Sequence, residues 1–161
     1  MSSSTGGSLP VAAERLPALD CACASLRRAS RAVTQLYGAA LRGSGVTPTQ
    51  LTLLQALGRL GPVPQGALGR LLVLDPTTLS RTLRPLARAG WIRSAAGRDR
   101  RESRWALTAR GRRQFERARP VWEGIQRELK ARVGGGQWRR LLEDLADVAG
   151  AAGLPSAPAS P

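Results

Sequence analysis

Arginine is the side chain with the most binding chemistry in this sequence, and it is concentrated in one stretch. Residues 77–119 contain 13 arginines and 3 acids, which gives them +10 of the chain's net charge of +14. The alternative is a general bias toward arginine, with Lys130 as the one lysine, which would leave a solvated basic surface without a partner. Such a bias would distribute the arginines more evenly along the chain. A guanidinium presents a planar fork of N–H donors that matches phosphates and base edges. The stretch therefore predicts a polyanionic partner, with nucleic acid first.

Part of this charge falls on one face of a predicted helix. At 100° per residue, three leucines share one side, and the donor-rich side lies opposite, within about 60°. Such a helix fits the major groove of DNA, where arginine binds guanine and threonine meets phosphates or a thymine methyl group. A solvated charged face is the alternative. Pro85 predicts a kink or an early helix end, because it lacks an amide donor. The apolar side carries Leu79, Leu83 and Leu86, and the donor-rich side carries Thr77, Arg81, Arg84 and Arg88.

A second basic group occupies the segment Gly97-Arg98-Asp99-Arg100-Arg101. Apolar and aromatic residues on both sides of it predict two strands joined by this charged loop. Three guanidiniums at the tip of a hairpin suit the minor groove, whose negative potential attracts arginine. A carboxylate there would repel phosphate, so we expect Asp99 to pair with Arg101 and hold its rotamer. An ordinary polar turn is the alternative.

Cys21 and Cys23 are the chain's two cysteines. On a helix their side chains would point about 200° apart, so a disulfide between them would require the helix to unwind, and any other bridge would join two subunits. Three interpretations stay open. The pair could be small buried apolar side chains in an interface, a thiol-oxidation switch, or a soft-metal or metalloid site built from two subunits.

The spacing of apolar residues predicts a scaffold made mainly of helices. A coiled-coil-like seam predicts a first helix over residues 18–41. Thr47 and Pro48 start a second helix, which ends at Gly61, and a short third helix follows over residues 65–72.

The basic helix comes next, with Asp75 as its N-cap and Gly90 at its end. Two strands are predicted within residues 91–107. Thr108 then caps a long helix, which the glycines at 134–136 separate from a last amphipathic helix.

This order of elements predicts a mainly α (α+β) winged helix-turn-helix fold. The length suits a single domain over residues 18–149, between a mobile arm of residues 1–17 and a disordered tail of residues 150–161. Apolar stripes on the terminal helices need a partner, and a second copy is the simplest one, so we expect a homodimer. The predicted dimerisation helices cover residues 18–41 and 109–149, and the winged helix-turn-helix covers residues 47–108.

The sequence resembles the multiple antibiotic resistance regulator (MarR) family over about residues 18–150, in the segments PTQLTLLQAL, GALGRLLVLDPTTLSRTLRPLARAGWI and RDRRESRWALTARG. The most specific part is the Asp-Arg-Arg loop, followed by Leu107-Thr108 and Gly111. The resemblance implies a homodimeric transcriptional regulator, a repressor, which binds pseudo-palindromic double-stranded DNA and is released by a small-molecule inducer or an oxidant. It also implies major-groove contacts from Thr77, Thr78, Arg81 and Arg84, and a wing contact from Asp99 with Arg101.

The segment LDCACASLRRASRAVTQLY resembles the first helix of the organic-hydroperoxide-sensing branch of that family. By this resemblance Cys23 matches the reactive cysteine, and Tyr37 matches a tyrosine that binds the thiol from the partner subunit. Fourteen helical residues span about 21 Å, so the two could meet only across a dimer. Arg27 and Pro48 stand where that branch keeps further tyrosines. A small aromatic ligand, bound between the dimer arms and the DNA-binding lobes, is the alternative signal.

The sequence offers little for catalysis. It has no histidine, no nucleophile elbow, no phosphate-binding glycine loop and no paired carboxylates in a recognisable setting, so we expect neither an enzyme nor a cofactor or zinc-type metal site. A thiol peroxidase resting on Cys23 and a nucleic-acid-binding protein without sequence readout are the rival functions. No signal-peptide pattern and no run of about 18 apolar residues occurs, which predicts a cytoplasmic protein without a membrane partner.

Overall fold

The computed structural model describes residues 16–96 and 103–153, and it describes residues 96 and 153 by their backbone alone. These residues form six α-helices, one short 3₁₀ turn and three short strands. The helices are α1 (Ala22–Leu41), α2 (Pro48–Leu60), α3 (Gln65–Leu72), α4 (Pro76–Arg88), α5 (Ala109–Val133) and α6 (Gly135–Gly153), and the strands are β1 (Val63–Pro64), β2 (Ile92–Ala96) and β3 (Ser103–Leu107).

The chain divides into two compact units, one up to Val33 and one from Thr34 onward. Helix α1 therefore begins in the smaller unit and ends in the larger one. The larger unit has the predicted order of helices, hairpin and further helices, which confirms a mainly α winged helix-turn-helix fold.

The first helix begins at Ala22, four residues later than predicted. The carbonyl oxygen of Pro17 accepts a hydrogen bond from Arg28 Nη2 at 2.7 Å, and that of Leu19 accepts one from Ser25 Oγ at 3.1 Å. Side chains of α1 thus bind the carbonyls that helical amides would otherwise bind. The preceding residues consequently stay outside the helix.

Local capping explains where α2 begins. Thr47 Oγ1 accepts from the backbone N–H of Gln50 at 3.3 Å, and Gln50 Oε1 accepts from the N–H of Thr47 at 2.9 Å. This reciprocal pair is a capping box, with Pro48 at the first helical position. The predicted N-cap at Thr47 is confirmed.

The three strands form one antiparallel sheet in the order β1-β3-β2. The predicted hairpin is confirmed, with pairing from Ile92 opposite Leu107 to Ala96 opposite Ser103. Strand β1, which pairs Val63 with Trp105, was not predicted. Two residues are too few to show the alternation of apolar and polar side chains by which a strand is recognised.

The core lies where α2, α3, α4 and the sheet meet, and leucine dominates it. Both α2 and α4 bury one face there, as their spacing predicts. The large side chains that are fully buried are Leu41, Leu53, Leu54, Leu57, Leu68, Leu79, Leu83 and Leu86.

The last helix is longer than predicted at both ends. It begins at Gly135, so of the three glycines only Gly134, with φ of 95°, breaks the chain between α5 and α6. It continues to Gly153, so residues 150–153, which the sequence assigned to the tail, are helical. The alanines there favour helix. The predicted arm, tail and domain limits otherwise remain predictions.

A tight junction joins the end of α4, the start of β2 and the start of α5. Thr108 Oγ1 donates to the carbonyl oxygen of Gly90 at 2.7 Å and also lies 3.0 Å from that of Trp91. The N–H of Thr108 donates to the Trp91 carbonyl at 3.0 Å, and the N–H of Trp91 donates to Leu86 at 2.9 Å. A Cβ atom on Gly111 would lie 2.0 Å from the Trp91 oxygen, so only glycine fits there.

Gly111→Ala should therefore destabilise the protein strongly. The added methyl group meets backbone that cannot move without breaking the junction, and we expect the free energy of unfolding to fall by about 3 kcal/mol, the upper end for overpacking. Gly124→Ala is the matched control on the same helix, because a Cβ there meets nothing within 4 Å. It should raise stability by up to about 1 kcal/mol. Urea unfolding at one protein concentration measures both, and equal effects would contradict the close approach.

Candidate nucleic-acid interface

An N-cap with three hydrogen bonds fixes the first turn of α4. Asp75 Oδ1 accepts from the backbone N–H groups of Thr77 at 3.0 Å and Thr78 at 2.9 Å, and Thr78 Oγ1 donates to Asp75 Oδ2 at 2.5 Å. The predicted cap is confirmed. The hydrogen bonds from the Thr78 hydroxyl and then from its amide lower the pKa of Asp75 below its ordinary value of 3.8.

The leucines of α4 turn its other face toward solvent. Their side chains are at most 1% exposed, so the helix cannot rotate without exposing the core. The donor-rich side therefore faces outward, as predicted. Helix α4 continues to Arg88, past Pro85, so of the predicted kink or early end the early end is wrong, and the kink stays a prediction. The next turn still closes, because the Pro85 carbonyl accepts from the N–H of Ala89 at 3.0 Å. The exposed side chains on this face are Thr77, Thr78, Arg81, Arg84 and Arg88.

Thr78 also has a structural role, which the sequence analysis missed. Its hydroxyl proton is engaged by the Asp75 carboxylate, and its carbonyl oxygen accepts from Thr82 Oγ1 at 2.7 Å. Thr78 is thus part of the cap as well as part of the exposed face. A threonine three residues after an aspartate N-cap is the local signal that could have indicated this function.

A partly buried bridge sets the orientation of α4 against the sheet. Gln65 Nε2 donates to Ser80 Oγ at 3.1 Å, and Gln65 Oε1 accepts from Trp105 Nε1 at 3.0 Å. One amide side chain of α3 therefore ties α4 to β3. Sequence reasoning missed this bridge, because its members lie 15 and 40 residues apart and share no local pattern.

The hairpin presents further basic side chains. Arg93 is exposed on β2, and Ser94 Oγ and Ser103 Oγ lie 2.5 Å apart across the two strands. Arg104 Nη2 donates to the carbonyl of Pro62 at 2.9 Å. The predicted wing residues lie outside the described residues, namely Arg98, Asp99, Arg100 and Arg101.

The two cysteines lie at the start of α1, and both are exposed free thiols. Cys21 precedes the helix and its carbonyl oxygen accepts from Ser25 N–H at 3.0 Å, so the assumption that both thiols sit on a helix is wrong. Both border one shallow cavity of about 350 Å³. The other residues that line it are Leu19, Ala24, Arg27, Arg28 and Arg31.

Tyr37 lies in the larger unit and is half-buried. Burial raises the pKa of Tyr37 above its ordinary value of 10.0, and a hydrogen bond from Gln126 Nε2 to its hydroxyl oxygen, at 2.7 Å, opposes part of that rise. Because Gln126 donates, the Tyr37 hydroxyl proton is available to another acceptor.

The described part of the chain shows neither a cluster of metal ligands nor a helix that could span a membrane. Across residues 16–96 and 103–153, no three histidine, cysteine, aspartate or glutamate side chains cluster as metal ligands would. In the same ranges, no helix combines the length and the apolar character needed to cross a bilayer.

A capped helix with an exposed arginine face, set against a three-stranded sheet, defines a winged helix-turn-helix protein. A model of the MarR family matches residues 44–102. The M. tuberculosis transcriptional regulator MosR, solved in complex with DNA, is 39% identical, with 83% of this chain and 96% of MosR covered and a TM-score of 0.75. A probable transcriptional regulator from Pseudomonas aeruginosa is 30% identical, and the match covers 80% of this chain and 97% of that regulator, with a TM-score of 0.71.

A further relative is the uncharacterized HTH-type transcriptional regulator YwoH of Bacillus subtilis (strain 168). It is 24% identical over 106 residues, which make up 66% of this chain and 77% of YwoH. The match to the family model and the extent of the similarity to MosR together show the family of this chain. The chain belongs to the MarR family of transcriptional regulators.

The cap on α4 should respond to acid. Because the folded-state pKa of Asp75 is lowered, its carboxylate stabilises the fold fully above its ordinary value of 3.8, and this contribution is lost as pH falls through the lower folded value. Hydrogen exchange at the Thr77 and Thr78 amides should accelerate, relative to the core, over that range. Asp75→Asn, which cannot titrate, should lack this dependence. Identical exchange profiles for the wild type and the variant would refute the acid sensitivity of the cap.

Proposed function

We propose that this protein is a sequence-specific, double-stranded-DNA-binding repressor that acts as a homodimer. The observation that carries the proposal is the outward arginine and threonine face of α4, which is held in place by a buried leucine face and by the Asp75 cap. The same proposal includes a cytoplasmic location, where the DNA is, and regulation without catalysis.

The geometry of α4 suits a major groove. A helix with its side chains is about 10–12 Å across, close to the groove's width of about 12 Å. Arg81 and Arg84 lie three residues apart on the same exposed face, within reach of neighbouring bases. The Asp75 carboxylate, which would repel a phosphate, is already satisfied by Thr77 and Thr78.

The hairpin supports a second contact, in the minor groove. Its described strands end at Ala96 opposite Ser103. The residues that connect these ends in sequence include Arg98, Arg100 and Arg101. We propose that these guanidiniums enter the minor groove and that Asp99 orients Arg101. That MosR was solved in complex with DNA supports the assignment of the partner.

Exposed apolar side chains support the homodimer. On α6 they follow helical spacing along one stripe, each between 38% and 49% exposed, which is costly for isolated apolar groups in water. A second copy would cover such a stripe, and its twofold axis would make the operator pseudo-palindromic. The stripe consists of Leu141, Leu142, Leu145 and Val148.

Thiol oxidation is the release signal that the described residues favour over a small-molecule inducer. Both thiols are exposed and border the same cavity, and Cys21 lies outside the helix that would hold them apart. A hydroperoxide would oxidise the Cys23 thiolate to sulfenic acid and leave as the alcohol. A second thiol would then displace water to form a disulfide. Cys21 of the same chain and a thiol of the partner are the candidate second thiols.

Arg81→Ala tests readout by α4. It should lose about 1–3 kcal/mol on the operator, the value of one bidentate base contact, and much less on random duplex. Arg98→Ala is the comparison variant, and it should weaken all duplexes alike and reduce the salt slope by about one. Competition binding at fixed salt measures both.

The wild-type protein should prefer its operator over random duplex by about 10³-fold or more. Equal losses on both duplexes for Arg81→Ala would contradict the assignment of α4 as the reading helix. Wild-type binding without preference would favour the rival function, a nucleic-acid-binding protein without sequence readout.

Cys23→Ser tests the signal. Stoichiometric organic hydroperoxide should release the wild-type protein from its operator, whereas Cys23→Ser should stay bound, because serine cannot form the sulfenic acid. Cys21→Ser separates a bridge between the Cys23 residues of two subunits, which would survive the substitution, from any disulfide that uses Cys21. Release of Cys23→Ser like the wild type would refute the switch, and repeated turnover with a thiol reductant would indicate a peroxidase instead.

A further inference from the structure

A cleft lined by arginine lies between the start of β2 and the first turns of α5. It encloses about 560 Å³, within the range of sites for small molecules. Three of its residues follow a spacing of three and then four along α5, so they share one face of that helix. The lining consists of Trp91, Arg110, Arg113, Gln114 and Arg117.

The charge of this cleft is uncompensated within the described ranges. There, none of its three guanidiniums makes an ion pair, because nearby acids on α5 engage other arginines. Arg119 binds Glu116 at 3.1 Å and Glu123 at 3.7 Å, and Arg132 binds Glu128 at 2.6 Å. Three like charges converging on one concave space favour a multivalent anion.

The frame of the cleft is rigid. The backbone of Trp91 donates to Leu86 at 2.9 Å and accepts from Thr108 at 3.0 Å. Gln114 is 8% exposed, and its Nε2 donates to the carbonyl of Ser44 at 2.7 Å. The backbone of Trp91 and the amide of Gln114 are thus held before any ligand arrives, which lowers the entropic cost of binding.

The cleft is separate from the proposed DNA-reading face. Trp91 follows the C-terminal end of α4, whereas the proposed base contacts begin at Thr77, eleven residues or about 16 Å of helix before Arg88. Recognition helices read bases mainly with their N-terminal residues. The α5 arginines therefore need a different ligand from the operator's base edges.

We propose that this cleft binds a small molecule that carries a diphosphate or triphosphate group, of the nucleoside phosphate class. The guanidiniums of Arg110, Arg113 and Arg117 bind the phosphate oxygens through paired hydrogen bonds. The indole of Trp91 provides a planar surface for the base. This function goes beyond DNA binding and does not depend on it.

Isothermal titration with ADP, at fixed salt and without DNA, tests the proposal. ADP should bind saturably, and Arg113→Ala should weaken binding by about ten-fold or more, since it removes charge-assisted hydrogen bonds. Arg112→Ala is the matched control, because it removes the same charge from an exposed neighbour on α5 that does not line the cleft. It should change the affinity by less than about two-fold. Unfolding curves show whether Arg113→Ala still folds, and Arg117→Ala, a second variant of the cleft, should weaken ADP binding as well.

Two further ligands identify the part of ADP that is recognised. Pyrophosphate should compete with ADP, and adenosine, which lacks phosphate, should not. Absence of saturable binding of ADP and pyrophosphate would overturn the proposal, and so would equal losses in the Arg112 and Arg113 variants. If Arg113→Ala weakened operator binding but left ADP binding unchanged, the cleft would belong to the DNA backbone instead.

Discussion

The close contact between α5 and the Trp91 carbonyl is the constraint on which the rest of the structure depends. Gly111 brings the helix against that carbonyl, and Thr108 caps the helix while binding the same strand. Helix α4 ends there, the hairpin begins and ends there, and α5 starts there. A shift of this junction would therefore displace the arginine face, the wing strands and the α5 cleft together.

Those parts of the fold that depend on neighbours in sequence could be predicted. The caps at Thr47, Asp75 and Thr108 and the leucine face of α4 follow from spacings of two to four residues, and all are confirmed. The start of α1 could not be predicted, because side-chain bonds from Ser25 and Arg28 compete for carbonyls that a helical pattern assigns to amides.

Parts that depend on distant residues could not be predicted either. Strand β1 forms because Val63 pairs with Trp105 of β3. The orientation of α4 depends on Gln65, whose side chain forms hydrogen bonds with Ser80 and Trp105. No periodicity relates such positions. Of the candidate site, the exposed face of α4 followed from the sequence, and the cap contact of Thr78 has a local signal, whereas the arginine cleft depends on the packing of separate elements.

The chemical make-up of the arginine face limits how the protein can be regulated. The face consists of guanidinium and hydroxyl groups, and the whole chain has no histidine. Histidine is the side chain whose ordinary pKa lies between pH 5 and 8, and the chain has none with which to change the charge of this face. On the proposed function, a signal would therefore act on where these side chains stand rather than on the charge of a histidine. The junction at Gly111 connects α4 to the hairpin and to α5, so a movement there would reach all of them.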